Sequence, residues 1–344
     1  MGYKLTRIAP TPSGYLHLGN VFSFAVTAAI ARRSSAEILL RIDDLDQERV
    51  QREYVEDIFE TLKFMKIPWD RGPRSADEFL GHWSQVHRLP LYRAALGRLR
   101  AAGAVFGCSC SRAEVSRAGR DGGYPGTCRE RGLELEGEVN WRLRTEAAFD
   151  GGTAVGAGTE AAAGTAAGTG TDGDPWTAAG PGVLLVKTYP GGVIEARLPA
   201  EMRDLVVRKK DGSPAYQLSS VVDDLYYGVD LIVRGQDLWA STLAQLYLSY
   251  PLRAEGFREV RFYHHPLLMT GDGEKLSKSA GATSIQYLRR QGLRAAEIYA
   301  LIAGAVVAEQ GRAAEPASDG AGRLSAVRDW EGLAELVLGR PDMA

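Results

Sequence analysis

The sequence predicts an α/β protein built on a doubly wound parallel sheet. Three observations predict it. The chain opens as strand, helix, strand, helix; two polar, turn-rich segments, residues 10–20 and 43–46, fall where the first two strands end; and a strand followed by a helix returns after residue 230. Ligands of such sheets bind beyond the carboxyl ends of the strands, where these segments lie.

Residues 3–9 alternate in polarity and read as the first strand, which Pro10, Pro12 and Gly14 break. Residues 21–33 are apolar and alanine-rich, with no internal Gly or Pro, and read as a helix. Residues 37–42 form a buried second strand that the run Asp43-Asp44-Leu45-Asp46 ends, and residues 53–65 are again helical. Residues 91–102 read as a helix leading into a cluster of three cysteines. Residues 150–182 are Gly, Ala and Thr with few large side chains. They cannot bury enough area to offset the entropy of ordering, so they read as a flexible insertion or a set of surface turns. Residues 205–208 read as a strand, 209–212 as a turn, and 214–222 lead to a loop at Asp223-Asp224. Residues 230–235 form a strand and 242–250 a helix; the tail reads as helices broken by an Ala/Gly-rich stretch near 311–323.

A chain of 344 residues has room for two or three packed units. Its net charge of −2 provides no global basic field, although a local patch suffices for an enzyme that reads RNA shape. No apolar run reaches membrane-spanning length and no signal-peptide pattern opens the chain, so the expectation is a cytoplasmic protein that engages no membrane. A monomer is expected. An odd, clustered set of cysteines reads as metal ligands or ordinary thiols before it reads as disulfides.

Two short motifs carry nucleotide chemistry. His17-Leu18-Gly19-Asn20 stands at the start of the first helix, behind a loop shaped by Pro12 and Gly14. Backbone N–H groups at a helix start, a glycine permitting close approach and a histidine donor suit phosphate oxygens; the plainer reading is a capping loop with a surface histidine. Lys275-Leu276-Ser277-Lys278-Ser279 follows a glycine-bearing stretch and supplies two movable cations; alone, it would read as solvated surface.

In this order the two motifs resemble the paired ATP signatures of class I aminoacyl-tRNA synthetases. The runs from Arg7 to Gly14, Leu40 to Asp46, Tyr216 to Leu218, Val221 to Asp224 and Gly228 to Arg234 resemble the glutamyl-tRNA synthetase family in particular. The resemblance implies a Rossmann-type parallel sheet. ATP, accompanied by Mg²⁺, is held by Pro10, Thr11, His17, Gly19, Asn20 and the segment from Lys275 through Leu276, Ser277 and Lys278 to Ser279. His17, Lys275 and Lys278 stabilise charge on the phosphoryl oxygens. It implies a glutamate pocket made by Arg7, Ala9, Thr11, Asp43, Tyr216 and Arg234. Guanidinium donors and a hydroxyl suit a side-chain carboxylate taken out of water, and a carboxylate is needed for the substrate ammonium. The family has Glu where this chain has Asp43, which retracts that carboxylate by about 1.5 Å. Without the resemblance, Arg7 and Arg234 would read as salt-bridge partners at strand ends.

Cys108-x-Cys110 and Tyr124-x₃-Cys128 are not a standard zinc pair, and spacing alone leaves zinc and ordinary thiols open. The same order occurs in the short glutamyl-queuosine tRNA(Asp) synthetases, and that resemblance implies one structural Zn²⁺ held by Cys108, Cys110, Tyr124 and Cys128.

The resulting expectation is a class I synthetase fold with an inserted zinc-containing, acceptor-binding-like domain and a short helical C-terminal region. Residues 1–95 and 198–262 would form the two halves of the catalytic domain, 96–197 the inserted domain, and 263–344 the KLSKS loop and tail, with no anticodon-binding domain. The resemblance implies glutamyl-AMP formation without tRNA, then transfer to the queuosine base of tRNA(Asp). Arg41, Arg208, Lys209 and Lys210 are candidate RNA contacts, or solvated charges. The alternatives are charging of tRNA(Glu) with help from a partner, transfer of activated glutamate to another acceptor, and a binding module without activity.

Overall fold

The computed structural model describes residues 2–118, 122–145, 182–268, 284–313 and 327–339. In chain order its main elements are β1 (Leu5–Ile8), α1 (Leu18–Ser34), β2 (Glu37–Leu40), α2 (Arg52–Phe64), α3 (Leu89–Ala101), β3 (Val105–Cys108), α4 (Arg112–Ala118) and β4 (Asn140–Leu143). Then come β5 (Val183–Lys187), β6 (Val193–Arg197), β7 (Val206–Arg208), α5 (Tyr216–Tyr227), β8 (Leu231–Gly235), α6 (Trp239–Ser249) and β9 (Arg261–His265). The last helices are α7 (Ile285–Arg290), α8 (Ala295–Ala313) and α9 (Trp330–Leu338). The chain divides into two compact units: residues 1–93, 223–239 and 259–344 form one, and residues 94–222 and 240–258 the other. Of the insertion read at 150–182 and the stretch near 311–323, residues 150–181 and 314–323 lie outside the described residues, as does the KLSKS motif.

The first unit holds the parallel sheet. β1 pairs with β2, and β8 with β9, both in parallel register. β1 lies beside β8: Asp230 N–H donates to Leu5 O at 3.1 Å, and further along, the Arg7 guanidinium donates to Val233 O at 3.2 Å. The two parallel pairs, β1-β2 and β8-β9, are thus neighbours through β1 and β8. β1 and β8 are buried throughout, as strands covered on both faces must be, although each carries a buried arginine, Arg7 and Arg234. The chain winds outward from β1 to β2 on one side, while β8 and β9 occupy the other. The β1/β8 boundary is therefore the switch point at whose carboxyl end a ligand crevice forms. α1 is buried around most of its circumference, and Ser35 ends it in the left-handed conformation. α2 turns Val55, Ile58, Phe59 and Leu62 inward at helical spacing. Gly72, at φ +105°, passes so close to β2 that a Cβ would meet Leu40 O at 2.4 Å.

Asp223 and Asp224 do not form a loop. They lie inside α5, with no exposed surface, and a buried charge network explains how. Asp223 receives Arg88 at 2.8 and 3.1 Å, Tyr92 Oη at 2.7 Å and Gln85 Nε2 at 2.9 Å. Asp224 Oδ1 receives Arg41 at 2.7 Å and Arg7 at 3.1 Å. A helix tolerates two adjacent acids here because each meets a guanidinium, and α5 itself supplies no cation. Arg41 is 2 % exposed, which removes it from the candidate RNA contacts; it grips both oxygens of Asp43 at 2.7 and 3.0 Å. Burial opposes its charge, but Asp43, Asp224 and Asp223 outweigh burial and hold the guanidinium firmly protonated.

The second unit is organised by the antiparallel sheet β3-β4-β7. Cys108, at the end of β3, stands opposite Asn140, and Phe106 opposite Arg142. Asp204, fully buried, ties this sheet to the segment after β3: it pairs with Arg129 and receives Thr145 N–H and Oγ1 at 3.2 and 3.0 Å. β5 and β6 form a separate hairpin whose second strand is largely exposed.

Replacing Asp223 by Ala strands the Arg88 cation in the interior, and should lower unfolding free energy by about 3–5 kcal/mol. Replacing Glu56, whose pair with Arg52 is exposed and screened by solvent, should leave the unfolding free energy nearly unchanged. Urea unfolding of both variants checks this; shifts of equal size would contradict it.

Candidate active site and thiol cluster

The loop between β1 and α1 ends at His17, which caps the helix with β-region dihedrals. Its Nδ1 accepts from Gly19 N–H at 3.1 Å, and Asn20 Oδ1 returns the favour to His17 N–H at 3.0 Å. An accepting Nδ1 leaves Nε2 carrying the proton of the neutral ring, a donor presented at a helix N-terminus. A Cβ at Gly19 would stand 3.1 Å from His17 Cε1, so this glycine makes room for the imidazole. Thus the capping reading and the functional reading describe one geometry. Two ties fix the loop from outside: buried Asp57 of α2 accepts from Leu16 N–H at 3.0 Å, and Ile285 N–H donates to Leu16 O at 2.7 Å.

A cavity of about 180 Å³ lies against this helix start, lined by His17, Gly19, Asn20, Gly235, Asp237 and His265, with Leu267 and Leu268. Sequence reasoning missed its second wall, the ends of β8 and β9. The signal was present in Gly235, directly after Arg234 at a strand end. A Cβ there would meet Asp237 Oδ1 at 2.5 Å and Leu267 Cδ2 at 3.1 Å. His265 is held by Pro266 O at 2.8 Å and Ser23 Oγ at 2.9 Å. Lys275, Leu276, Ser277, Lys278 and Ser279 lie outside the described residues, but both described flanks are informative. Leu268 lines the cavity, and Ser284 forms a β-bridge with His17.

The arginines named for glutamate converge on the β1/β8 switch point. Arg7 and Arg234 are 5 % and 3 % exposed. Arg7 makes the salt bridge its plainer reading foresaw, to Asp224, and a bond to Val233 O; its Nη2 has no hydrogen-bond partner among the described residues. Arg234 lies over the Phe262 ring at 5.2 Å and stands opposite His264 in the register. Burial, then the charges of Arg234, His265 and Arg7, lower the His264 pKa to about 3, so the ring is neutral beside two cations. Asp43 is 8 % exposed and engaged by Arg41 through both oxygens; burial pushes its pKa up although Arg41 pulls it down. Of the remaining residues, Pro10 is buried, Ala9 half-buried and Thr11 exposed; Pro10 O accepts from Asp43 N–H at 2.9 Å. Tyr216 belongs to the second unit, where it begins α5 and is 43 % exposed.

In the second unit the sulfur atoms of Cys108, Cys110 and Cys128 lie within 4.8 Å of one another, with Cys110 and Cys128 at 3.5 Å. Tyr124 Oη joins them, 3.4 Å from Cys108 Sγ and 2.8 Å from Cys128 N. Ligands set tetrahedrally at about 2.3 Å from a zinc ion stand about 3.8 Å apart, so three thiols and a phenol at these separations match the donor set of such a site. Burial pushes Cys128 up, but bonds from Tyr124, Ser109 and Cys110 outweigh it and bring the thiol to about 6. Cys110 is raised to about 11 by burial and by the bond with Cys128.

A parallel sheet whose first helix starts at His-x-Gly-Asn beside a small cavity at the switch point defines a class I synthetase fold. The catalytic-domain model of class I tRNA synthetases (E and Q) matches residues 5–131 and 192–312, and the chain belongs to that family. The Glutamyl-Q tRNA(Asp) synthetase of Dechloromonas aromatica is 34 % identical over 81 % of this chain and 79 % of its own length. Glutamate–tRNA ligase 2 of Nitrosococcus oceani is 33 % identical over 83 % of this chain and 56 % of its own; the chain spans about half the length of such ligases. A glutamate tRNA ligase from Elizabethkingia meningosepticum shares the fold, with a TM-score of 0.62, 16 % identity, and coverage of 97 % of this chain and 64 % of that one. Among the described residues no helix is long and apolar enough to cross a membrane.

Gly235→Ala should close the cavity and raise KM for ATP at least tenfold while leaving the urea midpoint within experimental error of wild type; an unchanged KM would refute the assignment of this wall. A second expectation concerns pH. His264 is neutral when folded and protonates at about 6.5 when unfolded, so its stabilising contribution is complete above pH 6.5 and is lost as pH falls towards 3. His264→Phe should flatten the stability profile in that window, as followed by thermal unfolding.

Proposed function

We propose that this protein activates glutamate with ATP and transfers it to the queuosine base of tRNA(Asp). The observation that carries the first half is the pairing of two buried guanidiniums, Arg7 and Arg234, with the small cavity at the start of α1 beside the same switch point. In the first step a glutamate α-carboxylate oxygen attacks the α-phosphorus of ATP, an O–P bond forms, the bond to the β-phosphate bridge breaks, and pyrophosphate leaves. No protein nucleophile is required; the protein positions the reactants and stabilises phosphoryl charge. His17 Nε2–H, Lys275 and Lys278 are assigned that stabilisation, with Mg²⁺ accompanying the ATP. Pro10, Thr11, Gly19, Asn20, Leu276, Ser277 and Ser279 shape the nucleotide site. Arg7 offers its Nη2 donors to the substrate side-chain carboxylate, with Arg234, Ala9 and Thr11 completing the pocket on the first unit. Asp43 offers the ammonium those lone pairs that Arg41 leaves.

The second half rests on similarity. Proteins named Glutamyl-Q tRNA(Asp) synthetase match this chain at 31–34 % identity, one of them over 99 % of its own length. A structural zinc ion on Cys108, Cys110, Tyr124 and Cys128 fits the donor set and would cross-link the segment after β3. It leaves no open position for catalysis.

Purified protein should catalyse glutamate-dependent ATP–pyrophosphate exchange with no RNA present, and Lys278→Ala should reduce it at least a hundredfold. Labelled glutamate should then pass to tRNA(Asp) that carries queuosine, and to neither queuosine-free tRNA(Asp) nor tRNA(Glu). Glutamylation of tRNA(Glu) alone would refute the acceptor. For the metal, one zinc per chain is expected by elemental analysis, with Cys128→Ser losing both the zinc and several degrees of thermal stability. Metal-free wild-type protein of equal stability would refute the site.

A further inference from the structure

The second unit contains a cavity of about 430 Å³ that none of the chemistry above uses. Its lining includes Cys110 from the thiol cluster, Arg112 and Ser116 from α4, Asn140 and Arg142 from β4, and Lys209 from the turn after β7. Three cations face it, and among the described residues no carboxylate lines it.

Arg142 decides what the cavity suits. Its side chain is 7 % exposed, yet among the described residues it has no carboxylate partner. Nη1 donates to Asp204 O at 2.8 Å; Nε is buried with no acceptor, and the guanidinium carbon lies 3.8 Å from the centre of the Tyr124 ring. The carboxylate of Asp204 is taken by Arg129 and Thr145. A cation drawn from water, held by one carbonyl and one aromatic face, keeps donor capacity that an anion would satisfy. Lys209 and Arg112 add charge at the same cavity, and Asn140 and Ser116 add neutral donors. Planar guanidinium with flanking cations and hydroxyl or amide donors is phosphate chemistry.

We propose that this cavity binds the phosphate group of a nucleotide, as part of an RNA strand. The phosphate sits on Arg142, with Arg112 and Lys209 closing around it. The site lies wholly within the second unit. The proposal rests on the reading that this protein acts on RNA, and it gives that RNA a specific contact beside the thiol cluster.

The test uses the full chain with tRNA(Asp), and cytidine monophosphate as a free-nucleotide probe. Arg112→Gln/Lys209→Gln alters half-exposed or exposed positions, and Arg142→Gln removes the buried cation. The double variant should bind tRNA about tenfold more weakly, with the slope of log affinity against log salt reduced by about 1–2. RNA-free ATP–pyrophosphate exchange should be unchanged. Arg142→Gln should weaken binding similarly; should it not fold, the double variant carries the test alone. Cytidine monophosphate binding that the same substitutions abolish would support the phosphate site with a free nucleotide as a second source. No binding of it, with weakened tRNA binding, would support an RNA strand only. Unaltered tRNA affinity and salt slope in the double variant would overturn the proposal. Absence of exchange in the wild-type protein would instead refute glutamate activation, a separate readout that leaves the binding measurement interpretable.

Discussion

Two adjacent carboxylates inside one helix hold the first unit together. Asp223 gathers Arg88, Tyr92 and Gln85; Asp224 gathers Arg7 and Arg41. Each carboxylate reaches side chains far away in sequence, so the network fixes α5 against both β1 and the start of α3. Buried ion pairs are a poor source of net stability compared with apolar packing, but removing one partner is severe. Such a network is better understood as a device for orientation. It places one edge of the Arg7 guanidinium on Asp224 and Val233 O, which leaves Nη2 without a hydrogen bond among the described residues.

The cavity at the start of α1 depends on the same region through backbone rather than charge. His17 caps α1, Asp57 holds Leu16 N–H, and Gly235 lets β8 end beside Asp237 and Leu267 without a Cβ between them. Burial pushes Asp57 up while its bond from Leu16 pulls it down, the signature of a carboxyl retained for what it holds rather than for solvation. The first unit thus combines two buried guanidiniums, Arg7 and Arg234, with a small cavity at the end of the neighbouring strands, at the position the parallel-sheet topology dictates.

Much of this was legible in the sequence because parallel strands and amphipathic helices leave periodic apolar patterns. β1, β2 and β8, together with α1 and α2, fall close to where the patterns put them. The Asp223-Asp224 run was read as a loop because two adjacent acids oppose local helix preference; what overrides it is Arg88, Arg41 and Arg7, distant partners that no local window contains. Arg41 was read as a surface cation for the same reason, since a lone arginine in a sequence does not show its carboxylates. The second wall of the cavity was missed because Gly235 and Leu267 bear no chemistry of their own; their function is shape. The thiol cluster was legible as residues, but only the fold shows that Tyr124 Oη stands among the sulfurs.

The central claim is that Arg7 recognises a substrate carboxylate while the helix start at His17 recognises the nucleotide. A crystal structure with a non-hydrolysable glutamyl-adenylate analogue tests it most directly. The account predicts the substrate side-chain carboxylate on Arg7 Nη2 and the adenylate phosphate at His17 Nε2. An analogue bound elsewhere, or bound with its carboxylate in solvent and Arg7 unchanged, would contradict it.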